Sequence, residues 1–258
     1  MKIEIIPCLA DNYAYIAIDE CTAGAVILDP SDGPPVLDRI NEIGVKPSAI
    51  LCTHHHSDHV GGVSEIARAF PGIEVWAHSH AMERIPGANR SVAHGDKVAV
   101  RGLELCALYV PGHTMGDVAW RMGDYVFTGD TLFAGGCGRV FEGTSAMMYD
   151  SIRSHIASLP VSTKIYCGHQ YTVSNLRFAE HVEPSNKLIG ERRAQVEAEL
   201  ADEKIPEPST IETELLTNPF LRCDHPEVVQ FAVRRGAIGP DPASVFASIR
   251  EAKNQFRG

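Results

Sequence analysis

Residues 51–59 read Leu-Cys-Thr-His-His-His-Ser-Asp-His, and they decide both the fold and the chemistry predicted for this chain. Imidazole nitrogens and carboxylate oxygens are good ligands for a borderline cation such as Zn²⁺. Four candidate ligands within six residues are too many for one ion, because a tight turn cannot aim them all at one point. His54 and His56 can converge on one ion, whereas Asp58 and His59 diverge toward a second. The segment therefore predicts a dinuclear hydrolytic centre.

A surface histidine tract is the alternative interpretation of this segment, and it would bind metal loosely without catalysing a reaction. Such a tract is typical of a polar, low-complexity context. The segment instead follows a strand-like apolar run and precedes Val63, Ile66 and Phe70 at helical spacing. A strand, a ligand-rich turn and a helix are therefore expected.

Length and composition indicate a globular protein, with 258 residues, 44% of them hydrophobic and 22% charged. No apolar run approaches the ~18 residues of a membrane span, and residues 1–6 alternate like a strand rather than a signal peptide. We therefore expect a cytoplasmic protein without membrane contact, acting as a monomer. The formal net charge of −10 disfavours nucleic-acid binding, and an anionic substrate would need a local basic patch.

The seven cysteines are widely spread and form no C-x-x-C pair. This spacing argues against a disulfide framework and against a thiolate zinc site.

Strand and helix signals change along the chain. Short Val-, Ile- and Tyr-rich runs bounded by Gly, Pro or Asp predict strands at residues 1–6, 13–18, 25–28, 49–52, 74–77, 103–110, 117–121, 125–127 and 164–167. Apolar residues at helical spacing predict helices at 35–43, 63–70, 147–159, 175–181, 187–201, 226–235 and 243–256. Strand signals vanish after about residue 170, so we predict two sheets with helices outside, followed by a helical C-terminal domain.

Three further segments place a ligand-type residue after an apolar run and a glycine. These residues are His113, Asp130 and His169. Glycine lets the backbone bend sharply where a strand ends and lets neighbouring segments approach closely. Each pattern is weak alone, but together with residues 51–59 they predict ligands converging on one rim of the sheets.

The ordered segments T-H-H-H-S-D-H, P-G-H-T, T-G-D-T-L-F and G-H-Q-Y-T resemble the metallo-β-lactamase superfamily, and within it the glyoxalase II family of hydroxyacylglutathione hydrolases. The resemblance implies an αββα metallo-β-lactamase sandwich in residues 1–169 and a helical substrate-binding domain in residues 170–258. It implies a thioester hydrolase that cleaves S-(2-hydroxyacyl)glutathione, with S-lactoylglutathione from methylglyoxal detoxification as the expected substrate.

The resemblance also implies roles for the candidate ligands. One divalent ion would be held by His54, His56 and His113, a second by Asp58, His59 and His169, and Asp130 would bridge them. Zinc is the expected metal, with iron and manganese as alternatives. We expect the direct participants in catalysis to be Asp58, Asp130, His54, His56 and His59.

Further segments carry the resemblance into the loop after Asp130 and the C-terminal helices, where they imply glutathione contacts from Arg139, Phe141, Tyr171, Arg250 and Lys253. Phe141 stands where many relatives carry Tyr, and Arg139 stands where others carry Lys, so two contacts differ from the family pattern. Arg250, Lys253 and Arg257 also form a basic helical stripe, for which a solvated helix face is the alternative interpretation. We expect the helical domain to supply recognition rather than chemistry.

Three rival functions remain at this stage. A mononuclear-iron persulfide dioxygenase of the same superfamily would not need Asp58 as a ligand or the helical domain. Other hydrolases of the fold, such as β-lactamases, lactonases and RNA-processing nucleases, are less favoured, the nucleases because of the negative charge. A non-enzymatic metal-binding protein is disfavoured because seven ligands for two metals leave coordination positions open for water and substrate.

Overall fold

The computed structural model describes residues 1–257, whose strands form two six-stranded sheets and a small hairpin. The first sheet contains, in both chain and spatial order, β1 (Lys2–Cys8), β2 (Asn12–Ile18), β3 (Gly24–Leu28), β4 (Lys46–Leu51), β5 (Glu74–His78) and β6 (Arg90–Val92). Strands β1 to β3 pair antiparallel, and β3 to β6 pair parallel.

The second sheet is mostly antiparallel. Its strands are β7 (Lys97–Val100), β8 (Leu103–Tyr109), β9 (Val118–Met122), β10 (Tyr125–Gly129), β13 (Lys164–Cys167) and β14 (Ser209–Thr210), in the spatial order β14-β13-β10-β9-β8-β7. The hairpin of β11 (Leu132–Phe133) and β12 (Gly136–Cys137) follows β10. Because β10 and β13 are parallel, and β8 is two antiparallel steps from β10, the carboxyl ends of β8, β10 and β13 lie at one edge.

Helices cover the outer faces of both sheets. In chain order they are α1 (Gly33–Ile43), α2 (Ser57–Val60), α3 (Val63–Ala69), α4 (Ser145–Asp150), α5 (Thr172–Val182), α6 (Lys187–Ala201), α7 (Ile211–Thr217), α8 (Pro226–Arg234) and α9 (Pro242–Gln255). A 3₁₀ turn spans Met82–Arg84, and a π-helical segment, Ser151–Ile156, continues α4. None of the helices within residues 1–257 is long and apolar enough to cross a membrane.

Three apolar clusters define the layers. The middle cluster lies between the sheets and includes Tyr15, Leu51, Trp120 and Phe127. The second packs α1 and α3 on the outer face of the first sheet, and the third packs α4 and the C-terminal helices on the outer face of the second. The predicted αββα sandwich with a helical C-terminal region is therefore confirmed.

The structure corrects the sequence interpretation in detail. Strand structure does not end near residue 170, because β14 pairs with β13 and returns the chain to the second sheet. Strands β6 and β7 and helix α7 were not predicted, since each is short and the strands carry polar residues on exposed faces. The predicted helix at 147–159 is two segments, α4 and its π-helical continuation.

A buried carboxylate joins the C-terminal helices to the β11–β12 hairpin. Glu214 on α7 is fully buried, and its Oε1 accepts a hydrogen bond from Arg192 at 2.6 Å. Its Oε2 accepts from the backbone N–H of Gly135 at 2.9 Å and from Asn218 Nδ2 at 2.7 Å. Removing one partner of a buried ion pair is costly, because the other charge stays buried without compensation. The other donors that the carboxylate accepted from also lose their hydrogen bonds.

We therefore expect Glu214→Ala to lower the free energy of unfolding by about 3–5 kcal/mol, the usual cost of leaving one partner of a buried pair uncompensated. Glu212→Ala is the matched control, because Glu212 lies on the same helix and is exposed. It should change stability by no more than about 0.5 kcal/mol. Urea denaturation of the metal-free proteins measures both. Equal stabilities for the two variants would contradict the role assigned to Glu214.

Candidate metal centre and substrate cavity

The four ligand-bearing segments meet at one edge of the sandwich. Residues 54–59 follow β4, His113 follows β8, Asp130 follows β10 and His169 follows β13. Two hydrogen bonds join the sheets there, from Val118 N to Thr53 O at 2.9 Å and from Trp120 Nε1 to Cys52 O at 3.2 Å. The strand ends therefore hold side chains from both sheets around one point.

The first cluster of ligand atoms consists of ring nitrogens from His54, His56 and His113. His56 Nδ1 lies 3.1 Å from His54 Nε2 and 3.0 Å from His113 Nε2. Burial lowers the pKa of both His54 and His113, which keeps these rings neutral. A single proton placed among these three ring nitrogens could form a hydrogen bond with only some of them. The cluster therefore has the ligand atoms and the spacing of a cation site.

The second cluster brings together Asp58, His59 and His169. Asp58 Oδ2 lies 3.4 Å from His169 Nε2 and 3.9 Å from His59 Nε2, and the two ring nitrogens are 3.4 Å apart. Burial lowers the pKa of His169, but hydrogen bonds to Asp130 and Asp58 outweigh it and raise that pKa to about 10. Both carboxylates thus favour positive charge at this cluster.

Asp130 lies between the two clusters. Its Oδ1 is 3.2 Å from His59 Nε2, while its Oδ2 is 3.6 Å from His113 Nε2 and 3.4 Å from His169 Nε2. Oδ1 is buried and has no hydrogen-bond partner. An unpartnered buried carboxylate oxygen is costly unless a positive charge lies beside it. The residues therefore fit a pair of divalent cations, one beside each cluster.

The glycines before these ligands are required by close approach. Gly129 has φ +48°, and a Cβ there would collide with Thr53 Oγ1. A Cβ on Gly168 would collide with Asp130 Oδ1 and lie 2.6 Å from His59 Cε1. Gly168 therefore passes directly against two candidate ligands, and Gly129 passes against Thr53, the residue before His54.

Hydrogen bonds to the remote ring nitrogens orient the imidazoles. His59 Nδ1 contacts Asp29 Oδ2 at 2.9 Å, and His169 Nδ1 contacts Asp11 Oδ1 at 2.9 Å. His113 Nδ1 donates to the backbone carbonyl of Arg139 at 2.7 Å. Donation from Nδ1 fixes the tautomer that leaves Nε2 as a lone-pair donor, which is the usual arrangement around a metal-binding histidine.

Sequence reasoning missed three residues of this supporting layer, Asp11, Asn12 and Asp29. Asn12 Nδ2 donates to the backbone carbonyl of Asp58 at 2.9 Å and contacts Asp58 Oδ2 at 3.2 Å. Asp29 directly follows β3, which is parallel to β4, so its position at a strand end was a usable signal. It also groups geometrically with His54 and His59. Since both its oxygens accept hydrogen bonds from Thr53, we interpret it as an orienting residue.

A cavity of about 590 Å³ opens over the clusters. All five predicted substrate contacts line it, namely Arg139, Phe141, Tyr171, Arg250 and Lys253. Tyr171 stacks parallel on His169, with ring centroids 4.8 Å apart, and Phe141 makes edge contacts with His56 and His113. Phe141 is 61% exposed, so its ring is free to contact a bound molecule. Three cations in an acidic protein also form the local basic patch that an anionic substrate requires.

Arg250 is not on a solvated helix face. It is 6% exposed, and its Nη1 donates to the backbone carbonyl of Cys137 at 2.7 Å, while Nε is buried without a partner. Lys253 is half-buried, and its Nζ donates to the backbone carbonyl of Ser174 at 2.9 Å. The stripe interpretation as a solvated face is therefore wrong for Arg250, whose side chain points inward to the loop after Asp130.

Two family models match this chain. Residues 14–169 match the model described as Metallo-beta-lactamase superfamily, and residues 170–256 match Hydroxyacylglutathione hydrolase C-terminus. Hydroxyacylglutathione hydrolases from Nitrosomonas europaea and Xanthomonas campestris pv. campestris are similar to this chain. The first is 44% identical, covering 96% of this chain and 94% of its own; the second is 41% identical, covering 100% of both.

Solved structures share the architecture. ETHE1 from Myxococcus xanthus superposes with a TM-score of 0.68 at 25% identity, covering 98% of each chain. The di-iron-bound form of TTHA1623 superposes with a TM-score of 0.61 at 26% identity, covering 86% of this chain and 100% of its own. Full-length identity above 40%, a matching C-terminal model and the ordered ligand segments agree. The chain thus belongs to the hydroxyacylglutathione hydrolase family of the metallo-β-lactamase superfamily.

Proposed function

We propose that this protein hydrolyses S-(2-hydroxyacyl)glutathione thioesters, including S-lactoylglutathione, to glutathione and a 2-hydroxy acid at a centre for two divalent cations. The observation that carries the proposal is the unpartnered Oδ1 of Asp130, buried between two three-residue clusters of ligand atoms. Membership of the hydrolase family gives the reaction class. Removal of methylglyoxal is the corresponding biological role.

We assign His54, His56 and His113 to one cation, Asp58, His59 and His169 to the other, and Asp130 to both. Each ion would have four protein ligands, three of its own and the shared Asp130, so that a water or the substrate would enter as a further ligand. Five imidazoles and two carboxylates suit zinc, which we propose as the metal. Iron is the main alternative, because a relative of this fold has been solved with two iron ions.

When bound, the two cations would lower the pKa of a water held between them and stabilise the negative charge that develops on the thioester carbonyl oxygen. Asp58 would accept a hydrogen bond from that water and aim it at the carbonyl carbon. The thiol of glutathione has a pKa of about 8.5, so its thiolate can leave with little need for a general acid. Neither a serine nor a cysteine nucleophile is needed.

Substrate recognition in this proposal combines charge and stacking. Lys253 and Arg139 would attract the carboxylates of the glutathione moiety, while Phe141 and Tyr171 supply exposed ring surface at the mouth of the cavity. Arg250 contributes charge, although its Nη1 is already engaged with the Cys137 carbonyl. Domain boundaries at 169/170, a cytoplasmic location and action as a monomer stay predictions.

The function is tested by combining metal analysis with thioester hydrolysis. Purified protein should contain two metal ions per chain and hydrolyse S-lactoylglutathione, while S-lactoyl-N-acetylcysteamine, which lacks the tripeptide, should have a much higher KM. One iron per chain, with oxygen consumption on glutathione persulfide, would favour the persulfide dioxygenase alternative instead. Equal KM values for the two thioesters would contradict glutathione recognition while leaving thioester hydrolysis in place.

Replacement of Asp130 should be harder to rescue than replacement of a ligand in one cluster. An amide has one good acceptor oxygen and no charge, so Asp130→Asn should weaken both metals. Activity should fall by more than the ~10–100-fold that loss of a metal-orienting partner costs. Asp58→Asn is the matched control, and excess Zn²⁺ should restore more of its activity. Full recovery of Asp130→Asn under excess metal, without recovery of Asp58→Asn, would show that the bridging assignment is wrong.

The Lys253 ammonium should make substrate binding depend on pH. Burial, with the nearby charge of Arg250, lowers the pKa of Lys253 to about 8, so the cation is lost as pH rises through that value. The KM of the wild type should therefore rise above pH 8 relative to that of Lys253→Arg, whose side chain stays charged. The substrate α-amino group titrates in the same range but affects both proteins equally, so the KM ratio is the measurement. A ratio constant from pH 6 to 10 would contradict this role.

A further inference from the structure

The loop formed by residues 139–143 holds His113 in place through its backbone. The N–H groups of Phe141 and Glu142 both donate to the carbonyl of His113, at 3.1 and 3.3 Å. In return, His113 Nδ1 donates to the Arg139 carbonyl at 2.7 Å. Main chain and imidazole of His113 are therefore both attached to this loop.

The side chain of Glu142 extends this attachment to a second ligand segment. Its Oε2 accepts a hydrogen bond from the backbone N–H of Met115 at 2.8 Å. Its Oε1 accepts from Arg84 Nη1 at 2.5 Å and lies 3.5 Å from His55 Nε2. His55 stands between His54 and His56 in the chain, so one carboxylate contacts both segments that carry the first cluster.

His55 itself is buried and lies outside both clusters of ligand atoms. Its Nε2 is buried without a hydrogen-bond partner, and the Glu142 carboxylate faces it. The Glu142 carboxylate faces this buried nitrogen and would interact favourably with an N–H at that position. The contact thus resists movement of residues 54–56 away from residues 113–115.

A plain surface ion pair is the simpler explanation for Glu142, because Arg84 is 53% exposed. Exposed pairs contribute about 0–1 kcal/mol, and such a pair would not discriminate between the metal sites. However, the Glu142 side chain is only 26% exposed, and it also accepts a hydrogen bond from the backbone N–H of Met115, two residues from His113. The pair with Arg84 therefore anchors a carboxylate whose other contacts lie behind the first cluster.

We propose that Glu142 is a positioning residue for the first metal site, because its carboxylate ties the segment of His54 and His56 to the segment of His113. The inference rests on the proposed two-metal centre. It assigns to Glu142 no contact with substrate or metal. Removing the carboxylate should loosen one site and leave the other unchanged, whereas a general role in stability would weaken both.

The test measures zinc affinity by competition with a chromophoric chelator. In an Asp58→Ala background, where the second site has lost a ligand, the remaining zinc reports on the first cluster. There Glu142→Ala should weaken zinc binding by about 10–100-fold, the usual cost of losing an orienting partner. Glu142→Gln should fall between Ala and wild type, because its amide oxygen can still accept from Met115.

Two controls separate the possible outcomes. Asp11→Ala removes the partner of His169 behind the second cluster, so it should leave the remaining zinc unchanged in the same background. Asp202→Ala breaks an exposed pair with Lys204 and should change neither zinc affinity nor the thermal midpoint of metal-free protein. Unchanged zinc affinity in Glu142→Ala would overturn the inference, as would equal weakening by Glu142→Ala and Asp11→Ala.

The proposed two-metal centre has its own test, because a wild-type protein that binds one zinc rather than two would contradict it. Two zinc ions in that protein, with unchanged zinc affinity at the first site in Glu142→Ala, would instead contradict only the inference about Glu142.

Discussion

Seven ligand-type side chains, five imidazoles and two carboxylates, converge at one edge of the sandwich, and most of the local structure follows from holding them there. Their lone pairs point at one another, and Asp130 Oδ1 has no hydrogen-bond partner. Such an arrangement is unfavourable without positive charge, so it must be held by the rest of the fold. The buried sheets and the glycines at the strand ends provide that support.

The C-terminal helices contact the hairpin beside the candidate metal centre. The hairpin that follows Asp130 receives hydrogen bonds from Asn175 to the Ala134 carbonyl at 3.1 Å and from Asn218 to the Gly136 carbonyl at 3.0 Å. Arg250 adds the bond to the Cys137 carbonyl. The helices also share one apolar cluster with the second sheet. The C-terminal helices therefore also support the loop that follows Asp130, in addition to the recognition role proposed for them.

Charge is distributed to suit this arrangement. The chain carries a formal net charge of −10, yet Arg139, Arg250 and Lys253 line the cavity. Two acidic groups, Asp11 and Asp29, lie behind the histidines and contact their ring nitrogens, whereas Asp58 and Asp130 line the cavity among the candidate ligands. The three cations therefore give the cavity a local positive charge, which suits the anionic substrate proposed for it.

The amino-acid sequence by itself determined the candidate ligands, their order along the chain and the sandwich that carries them. Strand endings, glycines and ligand spacing are local features, and a tight turn of six residues restricts which side chains can share an ion. Most helices were predicted to within a few residues for the same reason, since apolar periodicity is local.

Only the tertiary structure decided which residues stand behind the ligands. Asp11 meets His169 across 158 positions, Arg250 reaches Cys137 across 113, and Glu142 meets Arg84 across 58. No local spacing encodes these contacts, because they depend on how the sheets and helices pack.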